Sequence, residues 1–219
     1  ADGGAIYASD TAIVSLIESD VSGNNASNHG GAVYVNNGHF NATDSVLSFN
    51  KAVDGGGIYG KDGAKLVLSD SNITNNVATT HGGGINLEGS TSLFTASSMN
   101  CDSNEADSGG CLCFAWGAKV RITSSLIKSN TALGAQQAWR GGGAITVSMS
   151  STLIVQNTFF INNEAPANRA DEILSTQYNG ERPEIFLQNV VFSDSTSNFR
   201  SYAGSSQTYW GTRSCSDAP

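Results

Sequence analysis

Proline is nearly missing from this chain, three residues in 219, and histidine is as rare, with three. So few prolines leave regular strand structure almost uninterrupted. Cations are short too: 11 Lys and Arg stand against 19 Asp and Glu, a net charge of −8. Nucleic acid and anionic membranes need basic surface, so neither is expected as a partner. No stretch approaches the ~18 apolar residues of a bilayer span, so no membrane insertion is expected within this segment. A leader pattern is lacking as well. Ala1-Asp2-Gly3-Gly4 already lies inside a repeat, so the sequence reads as a mature product or an excised part of something longer.

What is present is a repeat built from two alternating motifs. One is Gly-Gly followed by a small and an aliphatic residue, as in Gly4-Ala5-Ile6, Gly31-Ala32-Val33, Gly56-Gly57-Ile58, Gly83-Gly84-Ile85, Gly110-Cys111-Leu112 and Gly143-Ala144-Ile145. The other is apolar-x-x-Asn-x-Ala, from Val21/Asn24/Ala26 through Leu47/Asn50/Ala52, Ile73/Asn76/Ala78, Cys101/Asn104/Ala106 and Ile127/Asn130/Ala132 to Phe160/Asn163/Ala165. A degenerate seventh copy runs from Asp171-Glu172-Ile173 to Phe192. A period in this range marks a solenoid, whose units bury their apolar faces only by stacking on one another.

Within each unit the chain alternates. Seven residues before the apolar anchor stand Val14, Phe40, Leu66, Phe94, Val120, Leu153 and Ile185, and five before it Leu16, Ala42, Leu68, Ala96, Ile122, Val155 and Leu187, with mostly polar residues between. Period two is a strand signal. The expected fold is therefore all-β: a right-handed parallel β-helix of about seven coils over residues 1–195, followed by an irregular cap or extension over 196–219. The column Asn24, Asn50, Asn76, Asn104, Asn130 and Asn163 is expected to form a ladder of stacked amides, with each Asn in a left-handed turn conformation.

The Gly-Gly-Ala-aliphatic motif paired with Phe160-Ile161-Asn162-Asn163 and its variants resembles the repeat of chlamydial polymorphic membrane proteins. That resemblance covers about residues 3–195 and implies a β-helical passenger acting as an adhesin. Similar repeats occur in large secreted proteins of algae and protists, including extracellular fibres. The C-terminal barrel of a chlamydial autotransporter is not part of this sequence.

Other features point outside the cell. Asn25-Ala26-Ser27, Asn41-Ala42-Thr43 and Asn72-Ile73-Thr74 are glycosylation acceptors. Cys101, Cys111, Cys113 and Cys215 are disulfide candidates, with the pairing open among Cys101–Cys111, Cys101–Cys113 and a clip of the tail through Cys215. Three outward columns bear on chemistry. Glu18, Asp44 and Asp70 fall in register and read as an acidic edge, with calcium as the cation such an edge would take; no other cofactor is expected. Asp2, His29, Asp54 and His81 alternate acid and imidazole, as in a charge-complementary ladder. Tyr7, Tyr34 and Tyr59 share a column that alternation turns outward, where exposed rings would stack sugars or dock a chain. Trp139, in an insertion between Leu133 and Arg140, is a further binding candidate.

No column assembles an acid, a base and a groove, and no Cys/His pair suggests thiol catalysis. The expected function is non-enzymatic: an extracellular structural or adhesive module of a longer secreted or surface glycoprotein or fibre. Its expected partners are other extracellular chains or copies of itself, joined end-to-end or laterally, and glycans. The alternative is a carbohydrate-active or carbohydrate-binding β-helix on the scaffold of pectate lyases.

Overall fold

A computed structural model describes residues 1–134, 141–166, 170–177 and 180–193, and the backbone of 199–202. Among these residues there is no helix, and every strand pairing is parallel. The chain winds as a β-solenoid. Each coil contributes one strand to a first sheet (Ile6–Ser9 in the opening coil), one to a long-stranded sheet (Ile13–Ile17) and one to a third sheet (Asp20–Ser22). Four coils add a strand to a short fourth sheet, at Lys51–Asp54, Val77–His81, Glu105–Ala106 and Thr131–Ala132. The long sheet has seven strands, ending with Glu184–Gln188. Seven rungs make about six turns, roughly 29 Å at ~4.8 Å per step. The first sheet has eight strands, because Phe199–Tyr202 pairs in register with Ile173–Thr176. Strand pairing thus reaches past residue 195, where the expected irregular segment begins.

The alternation read from sequence sets the core. In Lys65–Ser69, Leu66 and Leu68 are buried while Lys65 and Val67 are exposed, and the same holds for Leu93–Ser97 and Lys119–Thr123. Phe40, Leu66, Phe94, Val120 and Leu153 stack inside on successive rungs. Against them pack the first-sheet residues Val35, Leu87, Phe114 and Val147. Among the described residues the two end coils are the loosely covered ones: Ile6, Val14, Leu16 and Val21 at the start, and Leu187, Val190 and Phe192 at the end, are half-buried.

Each Gly-Gly pair needs glycine twice, for different reasons. The first member is left-handed, as at Gly55 (φ +63) and Gly82 (φ +62). The second has an ordinary backbone, but its coil packs directly on the next. A Cβ at Gly83 would lie 2.4 Å from the carbonyl oxygen of Gly110 and 2.5 Å from that of Glu105. Backbone on both sides leaves nothing that can give way.

Candidate functional site

The Asn column is a continuous hydrogen-bonded ladder. Both the backbone N–H and the side-chain Nδ2 of each Asn donate to Oδ1 of the Asn in the next coil. For Asn50 to Asn76 the two distances are 3.0 and 3.0 Å, for Asn76 to Asn104 3.0 and 3.0 Å, and for Asn130 to Asn163 2.9 and 2.8 Å. Asn24 and Asn104 make the same pairs. Nδ2 of Asn163 then donates to the buried Glu172 carboxylate at 2.7 Å, which ends the series. The expected left-handed conformation, however, belongs to the preceding residue: Gly23, Phe49, Asn75, Ser103, Ser129 and Asn162 carry the positive φ. The bend is made one residue early, so the Asn itself keeps an ordinary backbone while its amide lies in the corner.

A second ladder was not anticipated. The backbone N–H of Ser19, Ser45, Met99 and Ser125 donates to the hydroxyl of Ser45, Ser71, Ser125 and Thr158 respectively, at 3.1 to 3.4 Å. Each hydroxyl in turn donates to the carbonyl two residues back, as Ser71 does to Ser69 at 2.7 Å. The signal is legible in hindsight: Ser or Thr stands two residues before the apolar anchor in five coils, and Met99 interrupts it. Together the two ladders hold adjacent coils at both ends of the third sheet.

The acid–imidazole column is also assembled. His29 Nδ1 lies 2.8 Å from Asp2 Oδ1, His29 Nε2 3.6 Å from Asp54 Oδ2, and His81 Nδ1 2.9 Å from Asp54 Oδ1. Burial works to raise the Asp2 carboxyl, but the hydrogen bond and charge of His29 outweigh it, so its pKa lies below the usual carboxylate value.

This column covers the tyrosines and corrects the expectation of an exposed Tyr ladder. The rings do stack, Tyr7 on Tyr34 at 4.9 Å and Tyr34 on Tyr59 at 5.6 Å between centroids. Yet only Tyr7 is exposed, at 58%; Tyr34 and Tyr59 are at 4% and 5%. The His29 ring sits 4.5 Å from that of Tyr59 and 6.2 Å from that of Tyr34, and His29 itself bridges to Asp54 at the end of a fourth-sheet strand. The column continues as Asn86, Cys113, Thr146 and Leu174, all buried. It is a sealed outer seam, with Ser108 Oγ 3.0 Å from Thr146 Oγ1 farther along. Tyr59 bonds to Glu88 at 3.2 Å. Burial first, then the Glu88 carboxylate, pushes its pKa far up. Tyr34 is raised by burial, partly offset by Lys61, whose own pKa is raised chiefly by Tyr34.

Glu18, Asp44 and Asp70 are exposed and left-handed, with φ of 47°, 49° and 50°. Ser98, Ser124, Asn157 and Asn189 take the same conformation in later coils. The acidic edge is thus a row of tight corners, where Asp and Asn are the non-glycine residues best suited. Among the described residues, no three His, Cys, Asp or Glu side chains come together in a group that could hold a metal ion.

Of the three acceptor asparagines, Asn25 is exposed and Asn41 and Asn72 are half-buried. Asn72 accepts a hydrogen bond from Asn100 at 3.2 Å. Cys101 and Cys111 form a disulfide, with Cα atoms 6.1 Å apart, while Cys113 is buried and takes no part in it. Trp139 and Cys215 lie outside the described residues.

The outward face of the long sheet carries Thr43, Ser69, Ser97 and Thr123 in register. Lys65, Lys119 and Arg121 are exposed on it, and Trp116 is 52% exposed at its edge. Lys65 and Lys119 are in register with Leu93 between them, and the same column continues through Thr152 to exposed Glu184.

Comparison of this chain with family models, with curated proteins and with solved structures finds no match.

Proposed function

We propose that this β-solenoid is an extracellular structural or adhesive module within a larger secreted or surface glycoprotein, related to the polymorphic membrane protein repeats. The observation that carries the reading is the pair of axial ladders. The Asn ladder joins six successive coils, and the hydroxyl ladder joins the coils on either side of its interruption at Met99, so most coils present to the next the donors and acceptors that they receive from the last. The strands at Ile6–Ser9, Ile13–Ile17 and Asp20–Ser22 lie at the open edges of their sheets. The half-buried Ile6, Val14, Leu16 and Val21 sit in the same coil. A further coil stacked in register would be bonded as these coils are to one another. A glycan at exposed Asn25 would stand outside the stack, whereas the half-buried Asn41 and Asn72 already bond to Ser15 and Asn100 in neighbouring coils.

Intact mass and electron microscopy of material from the native source test this reading. Filaments, or a longer polypeptide carrying glycan mass, are the expected result. A monodisperse particle with the mass of the bare 219-residue chain would overturn it.

A further inference from the structure

The Asn ladder has a direction, and its two ends differ. At each step the backbone N–H and Nδ2 of one Asn donate forward to Oδ1 of the next. The far end is plugged. Glu172 stands at the small position of the Gly-Gly motif, held by Gly57, Gly84, Cys111 and Ala144 in other coils. Its buried carboxylate takes the Nδ2 of Asn163 at 2.7 Å. In the sequence no seventh amide follows: Ser195 stands at the ladder position, and Val190 at that of the hydroxyls. The first sheet also runs one strand beyond the long and third sheets, so among the described residues this end is not flush.

The near end is made of vacant counterparts. Oδ1 of every later ladder Asn accepts two bonds, whereas among the described residues nothing donates to Oδ1 of Asn24. Asp54 stands between two imidazoles, whereas Asp2 faces only that of His29. Tyr34 is stacked on both faces, whereas Tyr7 is stacked on one. The backbone follows the same rule. The N–H groups of His39, Val46 and Lys51 donate to the carbonyls of Ala12, Ser19 and Asn24 at 2.7, 2.8 and 2.9 Å. Their register counterparts in the opening coil, Ile13, Asp20 and Asn25, have no earlier coil to donate to among the described residues.

We infer that this end is a docking surface for a coil of the same kind on another polypeptide. That coil carries Asn at the ladder corner and histidine or another cation in register with Asp2. A second copy of this chain is not the partner. Open sheet edges are a template for further pairing, and here the side chains specify what pairs. An Asn corner brings both donors that Asn24 lacks, and a cation complements Asp2. The closing end of a copy would bring Ser195 and Val190 instead, on a face that is not flush. An unrelated extended segment would fill the backbone positions of one sheet and leave Asn24 and Asp2 unmatched. The inference rests on the structural function proposed above and names its partner.

The probe is a second copy of residues 28–52, whose ladder residue is Asn50. It is used as a free peptide and also fused directly ahead of Ala1 of the full chain. Fused, its His29 falls in register with Asp2 and its Asn50 with Asn24, at the spacing of the next coils. The readout is hydrogen exchange at the amides of Ile13, Asp20 and Asn25. The fused probe should slow all three roughly tenfold or more. Asn50→Ala in the probe should remove most of that protection. Asn24→Ala in the chain itself should do the same, and it decides the matter if the altered probe folds poorly. The free peptide should act likewise at high concentration, and the fused form decides if the peptide is too flexible to bind. Alone, the unmodified chain should sediment as a monomer with these amides unprotected. No protection by the fused probe, equal protection after both Asn replacements, or protection that grows with concentration in the unmodified chain alone would overturn the inference. The last result would make a second copy the occupant. Filaments or glycan-bearing longer polypeptides from the native source would still support the structural function in each of these cases, so only the docking surface would fall.

Discussion

Replacing Asn76 with Ala would strand several groups at once. Oδ1 of Asn76 accepts from both the backbone N–H and Nδ2 of Asn50, and its own Nδ2 donates to Leu47 O at 2.9 Å. All of this is buried, so Asn76→Ala should cost about 3 kcal/mol in chemical denaturation. Asn24→Ala, at the half-exposed end of the ladder, should cost only about 1 kcal/mol. Equal losses at the two positions would argue against an additive ladder. Tyr59 gives the alkaline counterpart. Its folded pKa is raised, so the stability it contributes is present below the unfolded value of about 10 and is lost as pH rises beyond it. Thermal melts should fall at alkaline pH, and less steeply in Tyr59→Phe. Asp2 has the opposite sign: its folded pKa is lowered, so its contribution is present above about pH 4 and disappears as pH falls further.

At the scale of the coil, corners and close contacts decide which substitutions are tolerated. Asp44 and Asp70 sit in left-handed corners in open solvent, so Asp44→Gly and Asp70→Gly should leave Tm unchanged or raise it slightly. A calcium-binding edge would behave otherwise: both variants would lose a calcium-dependent rise in Tm shown by the parent. Gly83→Ala should be among the most damaging changes, since its Cβ would meet only backbone. Gly23, with φ +69 and nothing within 4 Å of a built Cβ, should tolerate Ala with only the conformational cost, about 1 kcal/mol. Comparing the two melts separates close packing from backbone preference.

For the molecule as a stack, stability is a sum of coils and coil interfaces. The opening and closing coils have half-buried cores, so their amides should exchange fastest, and those of the coils around Leu66, Phe94 and Val120 slowest, in hydrogen exchange. The Cys101–Cys111 bond spans 10 residues, from the third sheet of one coil into the next Gly-Gly turn. Reducing it should cost about 2–3 kcal/mol. Uniform protection along the chain, or an unchanged denaturation midpoint after reduction, would show that the stack unfolds as one unit or that this bond adds nothing.

The fold was legible because its determinants are periodic. Alternation places Leu66 and Leu68 inside, and the recurring Asn column lines up wherever successive coils stack in register, so sequence alone determined the solenoid and its ladder. Two things needed the tertiary structure. Alternation says that Tyr34 and Tyr59 point away from the main core, but it carries no information about what lies over them; the His29 ring stands against both, and of the three only Tyr7 remains open. Likewise, spacing aligns Glu18, Asp44 and Asp70 by charge, whereas their shared property is backbone conformation, which a one-letter column does not display. A repeat specifies which residues are neighbours along the axis; how the sheets lie against one another across it is settled only when the whole coil closes.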